Sequence, residues 1–339
     1  MPWPLAFALL AQMLFRTAYT AISIPYGSLS AAITTSADER NMLATFKVWG
    51  GALAALAVAL GSQPFVALWP TPQLGWLMLA LLIGTVSSAA FVVMFLRTRE
   101  QPPGEAPPPA FGTMLRALAE NRPFLVLLAA IVAVNIATVI SGKVTVYYFT
   151  YYLQRPDLTG LGLAIQVAAV LLLTPVWSWV GRRWSKRQAW LWGAGVATAG
   201  LAALYAYGGK DPAVVMTILA LVQIGGAAIP ITMWSLIPDT VEVGEWKTGA
   251  RVEGAVFGVV TLGQKVALGV GIGLTGLLLQ ASDYVAGAVQ APQTLRGLHL
   301  MMTVPSMLGF AVSAAIMWFY VLDGRLHGRI VRALERRTA

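Results

Sequence analysis

The sequence predicts an all-α polytopic membrane protein, and three observations carry that reading. Hydrophobic residues make up 58% of the 339-residue chain and charged residues 11%, with a mean hydropathy of +0.71, outside the range of soluble domains. The apolar residues fall into runs of about 20 or more, the length that crosses a hydrocarbon core. Lys and Arg are parcelled between those runs, unequally on alternate sides. The formal net charge of +9 follows loop position and forms no stripe interleaved with aromatics, so no nucleic-acid partner is expected. The absence of cysteine excludes disulfides, thiol catalysis and Cys-based metal sites. His299 and His327 lie near segment ends and read as surface residues. No metal-ligand spacing, nucleophile elbow, phosphate loop or buried carboxylate pair is present, so neither an enzyme, a metal nor an organic cofactor is expected.

Cut at its turn and charge signals, the chain yields nine spans. The first, 3–34, stops at the polar run around Ser36 to Asn41. The second and third, 42–69 and 73–96, are separated by Pro70 and Pro72 and end before Arg97. A tract of proline and charge at 98–111 cannot bury a core and reads as an interdomain linker. Behind it, Phe111, Met114, Leu115 and Leu118 share one helical face opposite Arg116 and Glu120, as in a short helix lying along a membrane surface. The remaining spans are 123–152, 159–181, 189–207, 212–238, 254–280 and 299–322. The expected organisation is a partial N-terminal half of three helices at 1–97, a cytoplasmic linker with its amphipathic helix at 98–122, a six-helix half at 123–322 and a basic cytoplasmic tail at 323–339.

Sixteen Lys and Arg residues fall on one side of these spans and three, Arg155, Lys210 and Arg296, on the other, so the first side is cytoplasmic and the first span starts outside. That start, with neither a basic flank nor a cleavable leader pattern, is awkward for insertion. The stretch SLIPDTVEVGEWKTGARVEG, 235–254, gathers Asp239, Glu242, Glu245, Lys247, Arg251 and Glu253 on the cytoplasmic side, where a water-facing loop holds charge at little cost. Four cations fall inside spans instead: Arg16, Lys47, Lys143 and Lys265. No carboxylate lies well inside any span, and an unpaired charge at depth costs several kcal/mol. Lys265 follows Gly254 by eleven residues, which puts it roughly 16 Å along its helix, beyond snorkelling reach. Lys47 and Lys143 lie nearer span ends and can snorkel.

At these residues the chain resembles a known family. AISIPYGSLSAAITTSADERNMLATFKVWG is similar to the fourth helix, loop and fifth helix of the glycoside-pentoside-hexuronide:cation symporters, the melibiose permease-like family of the major facilitator superfamily. Its landmarks are Pro25-Tyr26, Ser28-Leu29, Glu39-Arg40 and a basic residue, Lys47, seven positions after Arg40. PDTVEVGEWKTGARVEGAVFGVVTLGQKVALG resembles the family's tenth-to-eleventh-helix signature, here Asp239, Gly244-Glu245-Trp246-Lys247, Arg251 and Lys265. Tyr147 to Leu153, YYFTYYL, is similar to the end of its seventh helix. The resemblance implies a major facilitator fold whose nine spans correspond to helices four to twelve, with the first three absent and the proline-rich tract at the interdomain loop. Ile24-Pro25 with Ser28-Leu29, echoed by Ile229-Pro230 with Ser235-Leu236, fits the parallel repeat of the two halves. Sugar-transporting members hold cation and sugar with carboxylates on helices one and two and an Asp on helix four. Here that helix-four position is Ser23, which leaves coupling to Na+ or H+ open, and Lys47 stands where the family usually has Arg.

The expected substrate-binding set is Arg16, Tyr19, Ser23, Tyr26, Lys47, Tyr147, Gln166, Trp234 and Lys265. Unpaired cations suit either carboxylates on absent helices or an anionic solute, aromatic rings stack on sugars but also simply pack, and polar side chains at depth bind ligand or bridge helices. The expected cytoplasmic gate joins Asp239, Glu242, Glu245, Lys247 and Arg251 to the basic loop of Arg182 and Arg183, against the alternative of a solvated loop end. The functional expectation is a secondary active, symporter-like transporter of a glycoside, pentoside or hexuronide in the bacterial inner membrane, surrounded by lipid. The other class is a truncated, non-transporting membrane scaffold. Oligomeric state is not written in these patterns.

Overall fold

The computed structural model describes residues 3–34, 36–98 and 110–338, which are helical with no strand among them. The helices are α1 (Trp3–Ile33), α2 (Ala37–Val66), α3 (Pro72–Arg97), α4 (Phe111–Ala119), α5 (Arg122–Tyr147), α6 (Thr159–Arg183), α7 (Lys186–Tyr207), α8 (Pro212–Gly226), α9 (Ala228–Thr248), α10 (Glu253–Ala281), α11 (Pro292–Trp318) and α12 (Gly324–Thr338). A π-helical turn, Tyr148–Tyr152, continues α5. Most of the proline-rich tract, 99–109, lies outside the described residues.

Local chemistry sets the helix ends. Thr71, Asn121, Ser185 and Asp211 occupy N-cap positions, and each side chain accepts from a backbone N–H of the first turn. Asp323 does the same for α12, accepting from the Leu326 N–H at 2.7 Å. Gly208 and Gly249 end α7 and α9 with φ of +54° and +71°, a conformation glycine adopts without a Cβ penalty. The asparagine cap also stitches the bundle, because its amide Nδ2 donates to the Thr240 carbonyl on α9 at 2.7 Å.

Eight segments of the described residues are long and apolar enough to cross a membrane: 41–58, 72–97, 122–152, 156–183, 186–207, 212–248, 253–281 and 292–318. They coincide with the second to ninth predicted spans, and the first predicted span is the 31-residue helix α1. The run 212–238, expected as one span, lies within the single segment 212–248, which is interrupted only at Ala227 between α8 and α9, beside Gly225, where α7 passes at close range. The second of them, α9, carries the helix through the charge cluster to Thr248, so the acids expected in a water-facing loop are helical. The tail expected at 323–339 folds as α12, and its Ile330 is buried in the core.

Helices α5 and α7–α11 pack around a common core of Leu127, Ile131, Trp190, Leu201, Ile237 and Phe257. Helix α6 closes that bundle through α7, α8 and α9. The segment α1–α3 lies along the bundle, with α1 on α10 and α2 on α6 and α9, while α3 packs on α2. Gly27 permits the first of these contacts, since a Cβ there would stand 3.1 Å from the Phe257 ring. The outward faces are apolar, with Phe7, Leu14, Phe95 and Leu96 exposed as expected against acyl chains. In α4, Ala117 and Leu118 are buried and Phe111 and Leu115 exposed, the disposition of a surface-lying helix.

Close approach of α7 to the α8–α9 turn depends on Gly193, where a Cβ would meet Ala228 Cβ and stand 2.7 Å from the Gly225 carbonyl oxygen. Gly193→Ala is therefore expected to destabilise the protein by ~1–3 kcal/mol through overpacking. Gly195→Ala, in the same helix but with nothing within 4 Å of its Cβ, is expected to stabilise by ~0.5–1 kcal/mol through helix propensity. Thermal unfolding in detergent distinguishes the two, and equal shifts would contradict the packing described.

Candidate functional site

Two lysines inside the spans each reach across the seam between α1–α3 and the bundle, from opposite sides. Lys47 on α2 places Nζ 3.2 Å from the centroid of the Trp234 ring on α9 and 5.1 Å from that of Tyr26 on α1. Lys265 on α10 places Nζ 4.6 Å from the Tyr19 centroid on α1. Both lysines are half-buried, and neither has a carboxylate partner among the described residues. An ammonium over an aromatic face is attracted by the ring quadrupole, worth ~0.5–1 kcal/mol when exposed and ~2 kcal/mol or more when desolvated. The seam is also joined by a neutral bond, Asn41 Nδ2 donating to Ser178 Oγ at 2.6 Å between α2 and α6. Asn41, Ala44 and Val48 are the buried positions of α2 there, a helical spacing that sets Lys47 beside the packed face.

Of the expected substrate set, Lys47 with Tyr26 and Trp234, and Lys265 with Tyr19, form two contacts at this seam, and the others lie elsewhere. Arg16 is exposed on α1, where a Gln12 amide oxygen turned toward it accepts from Nε at 2.9 Å and Nη2 at 3.3 Å. The Ser23 hydroxyl turns back on its own helix, donating to the Thr20 carbonyl at 3.4 Å. Tyr147 stands edge-on to Tyr284, with centroids 5.2 Å apart, at the outer end. Gln166 lines a separate cleft with Ser141, Thr145 and Gln223 inside the bundle.

The acids of α9 are organised differently from the expected gate. Asp239 and Glu242 are 4% and 1% exposed. Lys186, the first residue of α7, donates from Nζ to Asp239 Oδ2 at 2.6 Å and to the Ser235 carbonyl at 3.0 Å. His327 of α12 makes a close contact through Nε2 with Glu242 Oε2 and lies 3.8 Å from Asp239 Oδ1. Glu245 pairs with Arg251 at 2.9 Å, Arg251 also pairs with Glu253, and Lys247 donates to the Glu120 carbonyl at 3.1 Å. Arg187 donates to the Met317 carbonyl at 3.2 Å and to that of Trp318, the carbonyl end of α11, where a cation is favoured. The basic loop thus reaches the cluster through Lys186 and Arg187, while Arg182 and Arg183 are exposed. The partners named here all belong to α4–α12.

Both histidines correct the sequence reading. His327 is 4% exposed, and no spacing in the sequence links it to Glu242, 85 residues away. His299 is 8% exposed within an aromatic cluster at the outer end, stacked on Tyr152 at 5.2 Å with Nε2 3.3 Å from the Tyr205 carbonyl oxygen. Tyr320, immediately beyond α11, is also buried, and its hydroxyl has no hydrogen-bond partner among the described residues. Burial, with Asp239 nearby, pushes that phenol well above the ordinary tyrosine range, so it is neutral.

A family model described as MFS/sugar transport protein matches residues 3–324. The chain belongs to the MFS/sugar transport protein family. Its relatives include the isoprimeverose transporter of Lactiplantibacillus pentosus, 29% identical over 332 residues that cover 95% of this chain and 68% of the relative. A protein provisionally named sulfoquinovose importer in Salmonella typhimurium is 28% identical over 99% of this chain and 72% of its own length. The glucuronide carrier protein homolog of Escherichia coli is 26% identical over 98% of this chain and 73% of its own length. These relatives are transporters rather than enzymes by name. Family membership and the long apolar helices make this MFS/sugar transport protein a sugar-type transporter of the bacterial inner membrane, with the major facilitator, melibiose permease-like resemblance read from Asp239 to Lys265.

Two outcomes follow from the cytoplasmic cluster. His327→Ala removes a buried partner of Glu242 and is expected to cost ~1–3 kcal/mol, seen as a lowered unfolding temperature and faster proteolysis within α12. Tyr320→Phe deletes an unsatisfied buried hydroxyl and is expected to be stabilising by ~1 kcal/mol, or at least neutral, in the same unfolding assay.

Proposed function

We propose that this protein is a secondary active transporter that moves a small glycoside, pentoside or hexuronide, preferably one bearing an acid group, by alternating access. The observation that carries the reading is the pair of span lysines at the seam, both without a described carboxylate partner and both among aromatic rings. Ionisable groups at such depth serve a path or a partner. Rings beside donors are the chemistry that holds a pyranose, whose apolar face stacks while its hydroxyls take hydrogen bonds. Two of the relatives named above carry names of acidic sugars, glucuronide and sulfoquinovose, and such a solute supplies the negative charge that the seam lacks.

In this reading α1–α3 and α5–α11 belong to opposite halves that rock about the seam, with the buried acids of α9 keeping the cytoplasmic ends of α7, α9 and α12 together. Coupling to Na+ or H+ supplies the driving force. Uptake of a radiolabelled glycoside and a uronide into proteoliposomes under an imposed cation gradient tests the function. Lys265→Ala is expected to reduce uptake at least tenfold while the protein stays folded. Unchanged uptake rejects the role of that lysine, and failure of the natural chain to move either solute favours the non-transporting scaffold.

A further inference from the structure

The two seam contacts are reciprocal. Lys47 rises from the α1–α3 segment and covers a ring of the bundle, whereas Lys265 rises from the bundle and covers a ring of the α1–α3 segment. Each therefore ties one group of helices to the other, and the tie is a cation over a π face. From this geometry, and resting on the transport reading above, we infer that the Lys47–Trp234 and Lys265–Tyr19 contacts form a clasp that the acid group of the substrate itself releases.

The argument is one of competition for an ammonium. An ammonium has three N–H donors, and a ring face offers diffuse negative potential but no lone pair to accept them. A carboxylate or sulfonate oxygen does accept, with a full charge, and a charge-assisted hydrogen bond is the stronger of the two interactions. A substrate anion that enters the seam draws the ammonium it reaches off its ring face, Lys47 off Trp234 or Lys265 off Tyr19, and so removes a tie between the helix groups. A neutral sugar has no charge with which to take either ammonium, so it leaves the clasp shut. Discrimination between acidic and neutral sugars is then built into the opening step as well as into the contacts. The remaining neutral seam contacts, Asn41 with Ser178 and Gly27 against Phe257, involve no ammonium and are untouched by this exchange.

Competition has a distinctive signature. While the ring holds the ammonium, only a fraction of the protein is binding-competent, so apparent affinity is reduced by that fraction. Removing the ring should strengthen binding, the reverse of what deleting a substrate contact does.

The test uses the full chain in nanodiscs, with methyl β-D-glucuronide and methyl β-D-glucoside as probes. Because the natural sequence lacks cysteine, Gly51→Cys on α2 and Leu262→Cys on α10 introduce a single spin-label pair across the seam. The glucuronide is expected to change the label distance and the glucoside to leave it unchanged. Trp234→Leu is expected to populate the changed distance without ligand and to bind the glucuronide several-fold more tightly. Trp234→Phe, which keeps a weaker π face and a conservative shape, is expected to fall between. Lys47→Gln should weaken glucuronide binding at least tenfold. Weakened or unaltered glucuronide affinity in both Trp234 variants, with the natural distance distribution, overturns the clasp while leaving the transport reading standing. An equal response to the two sugars does the same. If the natural chain binds neither sugar, the transport reading and the clasp fall together.

Discussion

Charge inside a hydrocarbon slab must be compensated by the protein, since water is not there to do it. That constraint organises this chain. Asp239 and Glu242 are buried at one end of the bundle beside a lysine and a histidine, and two of the cations inside the spans, Lys47 and Lys265, are set against aromatic faces. The helices could be apolar along their whole length at lower cost. That lysines persist at the seam, where the helix groups meet, links their presence to what passes there.

The two modes of compensation differ in strength, and the difference divides the molecule. Asp239 with Lys186 is a hydrogen-bonded ion pair, and Glu242 with His327 a close contact between buried polar groups, the kind that is costly to break from one side. They join α7, α9 and α12 into one cytoplasmic platform. Lys47 over Trp234 and Lys265 over Tyr19 are weaker and non-directional, and a better acceptor displaces them. Firm contacts therefore lie within the bundle, and adjustable ones lie at its boundary with α1–α3. A protein that binds and releases solute between two packed groups of helices needs that distribution.

Much of the fold was legible because span length, proline and charge punctuation act locally. Each of the second to ninth spans has its counterpart, most within a few residues, with the seventh running on to 248 and the ninth starting at 292, and the caps Thr71, Asn121, Ser185 and Asp211 sit where polar residues precede apolar runs. The interruption at Ala227 was not legible because it lies where Gly225 meets α7, a contact between distant segments. At the seam, Lys47 and Lys265 were legible as charges out of place, and Tyr19, Tyr26 and Trp234 as aromatics of suitable depth. Their pairing was not, since cation and ring come from different helices in both contacts. His327 was misread for the same reason: polar residues near a chain end are usually solvated, and only the docking of α12 reveals Glu242 beside it.

The sequence by itself determined that this chain is helical, has many segments fit to span a membrane, gathers most of its basic residues on one side of them and carries cations inside its spans. Those properties depend on composition and order along the chain, which the bilayer reads one segment at a time. Only the tertiary structure decided which partner each charge found: Asp239 with Lys186, Glu242 with His327, and each seam lysine with a ring from the opposite helix group. Compensation in a low-dielectric medium acts over a few ångströms of space, and those ångströms are set by how helices pack.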